Sequence, residues 1–330
     1  MFDERTLNTI WYGGTEPSLW LRGLSCVYAA LAVLRRSLYR RGILRRTRLP
    51  VPVIVIGNIS VGGTGKTPLT IALVEALRER GFKPGVISRG FGGSAREPTH
   101  VDTHSDSAVV GDEARLIFDA TGVPVAVARK RAEAGRLLLQ GGGIDVLIAD
   151  DGLQHYALRR DIEIAVIDGA RRFGNGRLLP AGPLREPMAR LQSVDFRVCN
   201  GSAPQAGEVP MTLAGDAVLS LTGAPQRPLR DFSGQRAHAV AGIGNPSRFF
   251  SKLRDAGIDV LEHGFPDHHA FAAADLDFGD ALPVLMTEKD AVKCAAFACP
   301  HWWSVSVRAQ LPMEFFDAVA DRIRAIARTC

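Results

Sequence analysis

The chain is poor in cysteine and has no long hydrophobic run, and each lack excludes a class of protein. Its 330 residues include five cysteines, none of them in a C-x-x-C pair. The sequence therefore indicates neither a disulfide framework nor a zinc site, and a reduced, cytosol-facing protein is the plainest interpretation. The longest apolar segment near the N-terminus, residues 24–34, has about half of the roughly 20 apolar residues that a transmembrane helix needs. We expect no full membrane span.

Acidic residues are absent from residues 35–48, which we call the arginine block. The block contains seven arginines, more positive charge than the net +5 of the whole chain: Arg35, Arg36, Arg40, Arg41, Arg45, Arg46 and Arg48. Apolar side chains recur before it at helical spacing: Trp20, Leu21, Leu24, Val27, Tyr28, Leu31 and Leu34. The pattern predicts an amphipathic helix at an anionic membrane surface. The alternative is a helix that packs on the protein's own core and has a solvated basic end. Nucleic-acid binding would depend on the arginine block alone and is not expected.

Residues 53–68, VIVIGNISVGGTGKTP, combine an apolar run, a glycine-rich loop and the start of a helix pattern. In a phosphate-binding loop of this kind, backbone N–H groups and the helix dipole face a polyphosphate. We expect Lys66 to reach the terminal phosphates and the Thr67 hydroxyl to bind Mg²⁺. Ser60 stands where the usual spacing has its first glycine. The nucleotide-binding candidates are Ser60, Val61, Gly62, Gly63, Thr64, Gly65, Lys66 and Thr67. The alternative is a glycine-rich turn that merely precedes a lysine.

Apolar strand patterns alternate with helix patterns across residues 53–199. This alternation predicts an α/β fold of the P-loop NTPase type, with helices on both faces of a parallel sheet. The Gly, Pro, Ala and Ser of residues 200–215 predict a linker, and a second, smaller α/β unit follows. The expected division is an N-terminal segment at 1–50, a nucleotide-binding domain at 51–215 and a second domain at 216–330. Gly242 and Gly244 are only a weak dinucleotide signal, because the third glycine is missing.

Two adjacent carboxylates, Asp150 and Asp151, end the apolar strand pattern of residues 144–149. This is the arrangement of a Walker B segment, where a carboxylate holds Mg²⁺ opposite the loop hydroxyl. The alternative is a pair of turn or helix-capping aspartates. Asp112 and Glu113 open a later helix pattern, where acidic residues are also favoured by capping and by the helix dipole.

Other candidates lie in loops. Residues 265–269, FPDHH, are either a metal site or a His–Asp pair for proton transfer that reaches across a cleft to the first domain. Arg89, Arg129 and Arg185 follow strand patterns or lie in loops, and the planar fork of arginine suits a phosphate. Each arginine alone is better explained as a surface residue, but together, around a phosphate-binding loop, they predict at least one ligand contact.

Together these segments resemble one family, the tetraacyldisaccharide 4′-kinases, which are the lipid A 4′-kinases of Gram-negative bacteria. The matching segments are GN at 57–58, VGGTGKTP at 61–68, SRG at 88–90, GDE at 111–113, DDGLQH at 150–155, LPAGPLREP at 179–187, GIGNP at 242–246, FPDHH at 265–269 and TEKDAVK at 287–293. Phe91 stands where the family often has tyrosine, and Leu153 stands where phenylalanine is common. Any hydrogen bond that the family makes from the first position is therefore in doubt here.

The resemblance implies a kinase that moves the γ-phosphate of ATP to the 4′-hydroxyl of a lipid disaccharide 1-phosphate at the cytoplasmic face of the inner membrane. It implies that Asp112 and His268 act as a pair to activate the hydroxyl. With Lys66 they are the expected catalytic residues. We expect Thr67, Asp150, Asp151 and Glu113 to hold Mg²⁺, and Asn58, Arg89 and Arg185 to contact the substrate. The alternative is a nucleotide-dependent switch or partitioning ATPase, which needs no acceptor site.

Overall fold

The computed structural model describes residues 4–201 and 204–328 of the chain. Its helices, in chain order, are α1 (Glu4–Tyr12), α2 (Leu19–Arg40), α3 (Lys66–Glu79), α4 (Ser107–Val110), α5 (Asp112–Thr121), α6 (Arg131–Gln140), α7 (Pro246–Asp255), α8 (Glu288–Cys294) and α9 (Met313–Ala327). Its strands, in chain order, are β1 (Val53–Gly57), β2 (Pro84–Ser88), β3 (Thr99–Val101), β4 (Val125–Val127), β5 (Val146–Ala149), β6 (Ile162–Asp168), β7 (Phe196–Asn200), β8 (Val209–Ala214), β9 (Ala217–Ser220), β10 (Arg227–Pro228), β11 (Arg236–Ala241), β12 (Asp259–Gly264), β13 (Val284–Thr287), β14 (Trp302–Val305) and β15 (Arg308–Gln310). Cys330 and residues 202–203 of the expected linker lie outside the described residues.

The larger sheet has the strand order β15-β8-β7-β6-β1-β5-β2-β4-β3. The strands from β8 to β4 run parallel, whereas the edge strands β15 and β3 are antiparallel to their neighbours. Alternate residues of β1 enter different cores: Ile54 and Ile56 pack in the core that includes α3, α5 and α9, and Val53 and Val55 pack in the core that includes α6. Because both faces of the sheet are covered, its central strands β1, β4 and β5 are apolar throughout. The predicted α/β fold is confirmed.

The smaller sheet has the order β10-β9-β14-β13-β11-β12, and the four strands from β14 to β12 are parallel. The chain then returns to the larger sheet, because β15 pairs with β8 and α9 buries Phe315, Phe316 and Val319 in the core beside β1. Residues 308–328 thus pack with the first sheet, although they fall within the segment 216–330 that we expected to form the second domain. The domain limits otherwise stay a prediction.

Residues 209–214 form strand β8, so the prediction that residues 200–215 are a linker was wrong for this stretch. Met211 is buried, and β8 pairs in parallel with β7. Pro210, together with the Gly, Ala and Ser residues that precede β8 in the sequence, concealed the strand, because proline is uncommon inside a sheet. It is tolerated here since the other neighbour, β15, pairs with β8 only at residues 212–214.

Helix α2 presents two different faces. Leu21 is buried and the Tyr28 hydroxyl donates to the carbonyl oxygen of Arg185 at 3.0 Å, so this side packs on the protein. Trp20, Leu31 and Leu34 are 69%, 61% and 55% exposed. The apolar positions that the sequence placed on one stripe therefore divide between a packed face and an exposed face. In the described part of the chain, no helix has both the length and the apolar character needed to cross a membrane.

Candidate active site

The carboxyl ends of parallel strands from both sheets face one cleft, which is where ligands bind in α/β folds. The phosphate-binding loop follows β1, while the segment that contains Gly244 follows β11 in the other sheet. These two segments touch: a Cβ atom built on Gly244 would lie 2.8 Å from the backbone nitrogen of Gly63. The cleft thus brings the nucleotide motif of the first sheet next to the second sheet.

The phosphate-binding loop, residues 58–65, has the strand–loop–helix form that its sequence predicts. Gly65 has φ of +94° and precedes α3, and Gly62 has φ of +96°; both are conformations that other residues adopt only with strain. No side chain caps the N-terminus of α3, so its N–H groups are available to an anion. Asn58 is fully buried beneath the loop, where its Nδ2 donates to the Gly62 carbonyl at 3.4 Å.

Charged side chains from three segments meet beside the loop. Lys66 Nζ lies 3.5 Å from Asp151 Oδ1, and Arg185 donates to Asp151 Oδ2 at 3.4 Å. Burial raises the pKa of Asp151, but the charges of Lys66, Arg185 and Arg131 outweigh it and hold that pKa well below its usual range. Asp150 accepts a hydrogen bond from Thr70 at 2.9 Å. Burial and the nearby carboxylates raise the pKa of Asp150. The two adjacent aspartates thus have opposite electrostatic environments.

Arg131 fixes the backbone that carries these aspartates. Its guanidinium donates to the carbonyl oxygens of Asp150 and Asp151 at 3.1 and 2.6 Å. Asp151 has φ of +46°, an uncommon conformation for a residue with a side chain. Burial lowers the pKa of Arg131 to about 10, so the group is still charged at neutral pH. The sequence interpretation singled out the exposed Arg129 instead; the signal it missed is that Arg131 opens the buried alanine face of α6.

The expected catalytic pair forms across the two sheets. His268, in the loop after β12, places Nδ1 at 3.1 Å from Oδ2 of Asp112, the first residue of α5. Burial raises the pKa of Asp112, but this hydrogen bond and the charges of two lysines lower it below its usual value. Phe91 packs edge-on against the His268 ring at 4.7 Å between centroids. Phe91 thus packs against the His268 ring but, unlike a tyrosine, has no hydroxyl that could form a hydrogen bond.

Lys289 is a central group of the site to which the sequence interpretation gave no role. Its Nζ lies 3.1 Å from Asp267 Oδ1, 3.2 Å from His268 Nε2 and 3.3 Å from Glu113 Oε1. Burial lowers the pKa of Lys289, but the surrounding carboxylates raise it above its usual value. The only signal was its place in the segment TEKDAVK. Glu113, expected to bind Mg²⁺, is paired with this lysine.

Four arginines surround His155 on the side of the site that faces α2. We call this group the positive basin: Arg35, Arg89, Arg131 and Arg160. Burial lowers the pKa of His155 to about 4, and the charges of Arg131, Arg160, Arg35 and Arg89 contribute to that shift. These arginines come from different segments, including α2 and the end of β2. A cavity of about 410 Å³ lies next to α2, and its lining includes Arg36, Arg40, Arg41, Glu186 and Pro187. The basin and the cavity suit an anionic group.

Comparison with known proteins identifies the family. A family model described as tetraacyldisaccharide-1-P 4′-kinase, LpxK, matches residues 17–324. The chain belongs to this family. A relative named tetraacyldisaccharide 4′-kinase in Stenotrophomonas maltophilia (strain R551-3) is 54% identical over 323 residues, covering 95% of this chain and 95% of the relative. Another with the same name, in Xanthomonas euvesicatoria pv. vesicatoria (strain 85-10), is 53% identical over 333 residues, covering 96% and 95%.

The fold is also similar to a solved member of the tetraacyldisaccharide 4′-kinase family. A crystal structure of LpxK from Aquifex aeolicus, described as an "apo" form in complex with ATP, has a TM-score of 0.77 and 28% identity to this chain. The match covers 92% of this chain and 97% of that chain. The family resemblance predicted from the separate sequence segments is therefore confirmed over nearly the whole length.

The donor set fits Mg²⁺ bound together with a nucleotide rather than in a protein cage. In the described residues no group of three or more His, Cys, Asp or Glu is arranged to hold a metal. Magnesium usually keeps several waters and binds one or two carboxylates plus substrate phosphates, so such a group is not needed. Asp151 Oδ1 is buried and accepts no hydrogen bond in the structure. Thr67, at the start of α3, and Asp150 are the remaining candidates next to it.

Proposed function

We propose that this chain is an ATP-dependent kinase that transfers the γ-phosphate to the 4′-hydroxyl of a tetraacyldisaccharide 1-phosphate in lipid A biosynthesis. The observation that carries the proposal is the Asp112–His268 pair, which stands across the cleft from a phosphate-binding loop in a chain of this family. A switch or partitioning ATPase does not need such a pair, because it has no acceptor hydroxyl to activate.

The nucleotide is held by the first sheet. Backbone N–H groups of residues 62–66 and the α3 N-terminus face the phosphates, and Lys66 neutralises charge on the group being transferred. Mg²⁺ would be held by Thr67 and Asp151, with Asp150 next to them, and would draw charge off the β- and γ-phosphate oxygens. Arg131 keeps the two aspartates in place through their carbonyl oxygens.

The acceptor is activated by the pair that joins the sheets. As the sugar oxygen bonds to the γ-phosphorus and the bond to the ADP oxygen breaks, the hydroxyl proton passes to the Asp112–His268 pair. The Nδ1–Oδ2 hydrogen bond at 3.1 Å lets one group stabilise the proton taken up by the other. Lys289 lies on the other ring nitrogen and orients the imidazole.

The anionic end of the substrate fits the positive basin. Arg185 lies beside Asp151, and Arg89 and Arg35 add positive charge near His155, so a sugar phosphate would meet several planar guanidinium groups. Asn58 lies fully buried below the same site, and its Oδ1 has no hydrogen-bond partner in the structure. We infer that these arginines, with Asn58, recognise the phosphate and sugar of the lipid headgroup.

The acyl chains remain in the bilayer, and α2 brings the enzyme to them. The exposed apolar side chains of α2 and the arginine block suit the interface of an anionic membrane, which for this family implies the cytoplasmic face of the inner membrane. The packed face of α2 is tied to the loop of residues 178–187, since Ser25 donates to the Leu178 carbonyl at 2.8 Å and Tyr28 donates to that of Arg185. The membrane helix thus contacts the loop that supplies an active-site arginine.

One assay tests the function. The full chain is incubated with γ-labelled ATP, Mg²⁺ and tetraacyldisaccharide 1-phosphate in mixed micelles, and label is followed into lipid and into inorganic phosphate. We expect label in the lipid, and loss of that transfer in Asp112→Asn. Label that appears only in inorganic phosphate, at a rate that the lipid does not change, would favour the switch ATPase instead.

A further inference from the structure

Arg171 links the phosphate-binding loop to the second sheet. It follows β6, where its Nε donates to Asp168 Oδ2 at 2.9 Å. Its two terminal nitrogens then diverge: Nη2 donates to the carbonyl oxygen of Gly63 and Nη1 donates to that of Gly244, both at 3.1 Å. A single planar guanidinium therefore bridges the two segments that touch across the cleft.

A second bridge runs beside the first. Asn200, the last residue of β7, is buried, and its Nδ2 donates to the carbonyl oxygen of Thr64 at 2.9 Å. Its Oδ1 accepts a hydrogen bond from Arg248 of α7 at 3.0 Å. Two successive carbonyl groups of the phosphate-binding loop are thus each held by a side chain that also binds the second sheet.

The bridged part of the second sheet is continuous with the part that carries His268. Gly244 lies in the loop after β11, and His268 lies in the loop after the adjacent parallel strand β12. The two loops are close, because a Cβ atom on Gly244 would lie 3.5 Å from Asp267 Oδ2. Asp290, in the first turn of α8 after β13, accepts from the Gly242 backbone nitrogen at 2.8 Å and secures the same loop.

We propose that Arg171 and Asn200 are positioning residues for phosphoryl transfer. By joining the carbonyls of Gly63 and Thr64 to Gly244 and Arg248, they set the separation between the bound γ-phosphate and the Asp112–His268 pair. The inference deepens the proposed function and rests on it. Phosphoryl transfer depends mainly on positioning and charge, so small changes in this separation lower the rate of the chemical step.

The contacts distinguish this role from direct phosphate binding. Nε and both terminal nitrogens of Arg171 donate to protein oxygens, whereas a phosphate ligand would present a free fork. Arg171→Lys separates the two roles. Lysine keeps the positive charge beside the loop, but its single ammonium lacks the diverging donors that reach both carbonyls. Arg171→Lys therefore removes the bridge between the two carbonyls but retains the positive charge beside the loop.

The sharpest variant is Arg248→Ala, because Arg248 is largely exposed and the phosphate-binding loop keeps its contact with Asn200. We expect kcat for lipid phosphorylation to fall about threefold to tenfold, with the KM for ATP changed less than about twofold. Arg171→Lys should lower kcat as much as Arg171→Ala. The matched control is Arg236→Ala, which removes another exposed arginine of the second sheet that pairs with Asp259 at 3.4 Å; it should retain wild-type kinetics.

Combination with His268→Ala tests whether the bridges act through the catalytic pair. If they do, Arg248→Ala and Arg171→Lys should lower kcat by less than about twofold in the His268→Ala background, since members of one unit are not additive. Amide hydrogen exchange can be measured without any enzyme activity. The exchange rate at residues 263–270 should rise in Arg248→Ala and in Arg171→Lys but not in Arg236→Ala.

Failure of the positioning role and failure of the proposed function give different results in these experiments. Wild-type kcat in Arg248→Ala, undiminished fold-losses in the His268→Ala background, or recovery of kcat in Arg171→Lys would each overturn the positioning role. If the wild-type enzyme transfers no label to lipid, the proposed function fails instead. In that event unchanged exchange at residues 263–270 would still refute the bridges on their own.

Discussion

Lys66, the first residue of α3, places its Nζ 3.5 Å from Asp151 Oδ1, beside the phosphate-binding loop. We expect Lys66→Met to lower kcat/KM for transfer by about 10²–10³-fold, the usual cost of losing one charged group on the transferring phosphate. Lys130→Met is the control, since its side chain is 78% exposed and only pairs with Glu133. Steady-state kinetics at saturating lipid measure both, and near-normal rates in folded Lys66→Met would remove the loop lysine from the mechanism.

Asp112 and His268 come from different sheets and share one hydrogen bond. Each alanine variant should lose about 10²–10⁴-fold in kcat, the range for a proton-transfer group. If the two act as a unit, as we propose, the double variant should lose little more than the worse single variant. Multiplied losses, measured under the same conditions, would mean that one residue binds substrate while the other handles the proton.

Gly244 is required by close contact rather than by backbone conformation. A Cβ atom there would lie 2.8 Å from the Gly63 nitrogen and 3.4 Å from Gly62 Cα, so alanine would push the second sheet away from the phosphate-binding loop. We expect Gly244→Ala to lower kcat at least tenfold, by the sensitivity of transfer to misplaced groups. Gly141→Ala, where the nearest atom is the Leu138 carbonyl oxygen at 3.6 Å, should leave kcat unchanged. Equal activity in the two variants would contradict the contact.

At the scale of elements, strands buried on both faces could be predicted well from the sequence. β1 and β2 fall within residues 53–199, where apolar strand patterns were expected, and every residue of both strands is buried. β8 could not be predicted, because its burial depends on pairing with both β7 and the distant β15, and its own residues include Pro210. Helix α9 is amphipathic, but no local pattern reveals which of two sheets will cover its apolar face.

Because α9 packs on the first sheet, truncating one of its buried side chains should destabilise the core beside β1. Phe316 is 6% exposed and packs in the core beside β1 and α3. Phe316→Ala should lower the free energy of unfolding by about 3–5 kcal/mol, as is usual for a buried phenylalanine. Met313→Ala, at a position that is 56% exposed on the same helix, should have little effect. Urea unfolding with and without ATP measures both. Wild-type stability in Phe316→Ala would mean that α9 is not part of that core.

At the scale of the whole molecule, the site exists only where the two sheets meet. The sequence could supply Lys66, Asp150 and His268 as candidates, because each belongs to a recognisable segment. It could not show that Lys289 contacts His268 or that Arg171 joins Gly63 to Gly244, since those contacts depend on how loops after strands of different sheets approach each other. Arg171 also lies outside every segment that carries the family resemblance.

The placement of α2 leads to a prediction about the whole enzyme at a membrane. Each arginine near an anionic surface contributes at most about 1 kcal/mol, and salt screens that attraction beyond a Debye length of about 8 Å at physiological ionic strength. The exposed apolar face of α2 adds a term that salt does not screen. Vesicle binding should therefore weaken at high salt without vanishing.

Replacing Arg40, Arg41 and Arg45, which are exposed, by glutamine should raise the KM for substrate presented in anionic vesicles about tenfold or more, by the same electrostatic contribution. The KM for ATP should not change, because none of the three contacts the phosphate-binding loop in the structure. Replacing the exposed Arg236, Arg254 and Arg328 by glutamine alters the net charge equally and should change neither constant. Kinetics with vesicles of increasing anionic lipid content decide the matter. If both triple variants respond alike, net charge rather than the arginine block governs association, and α2 has no special place at the membrane.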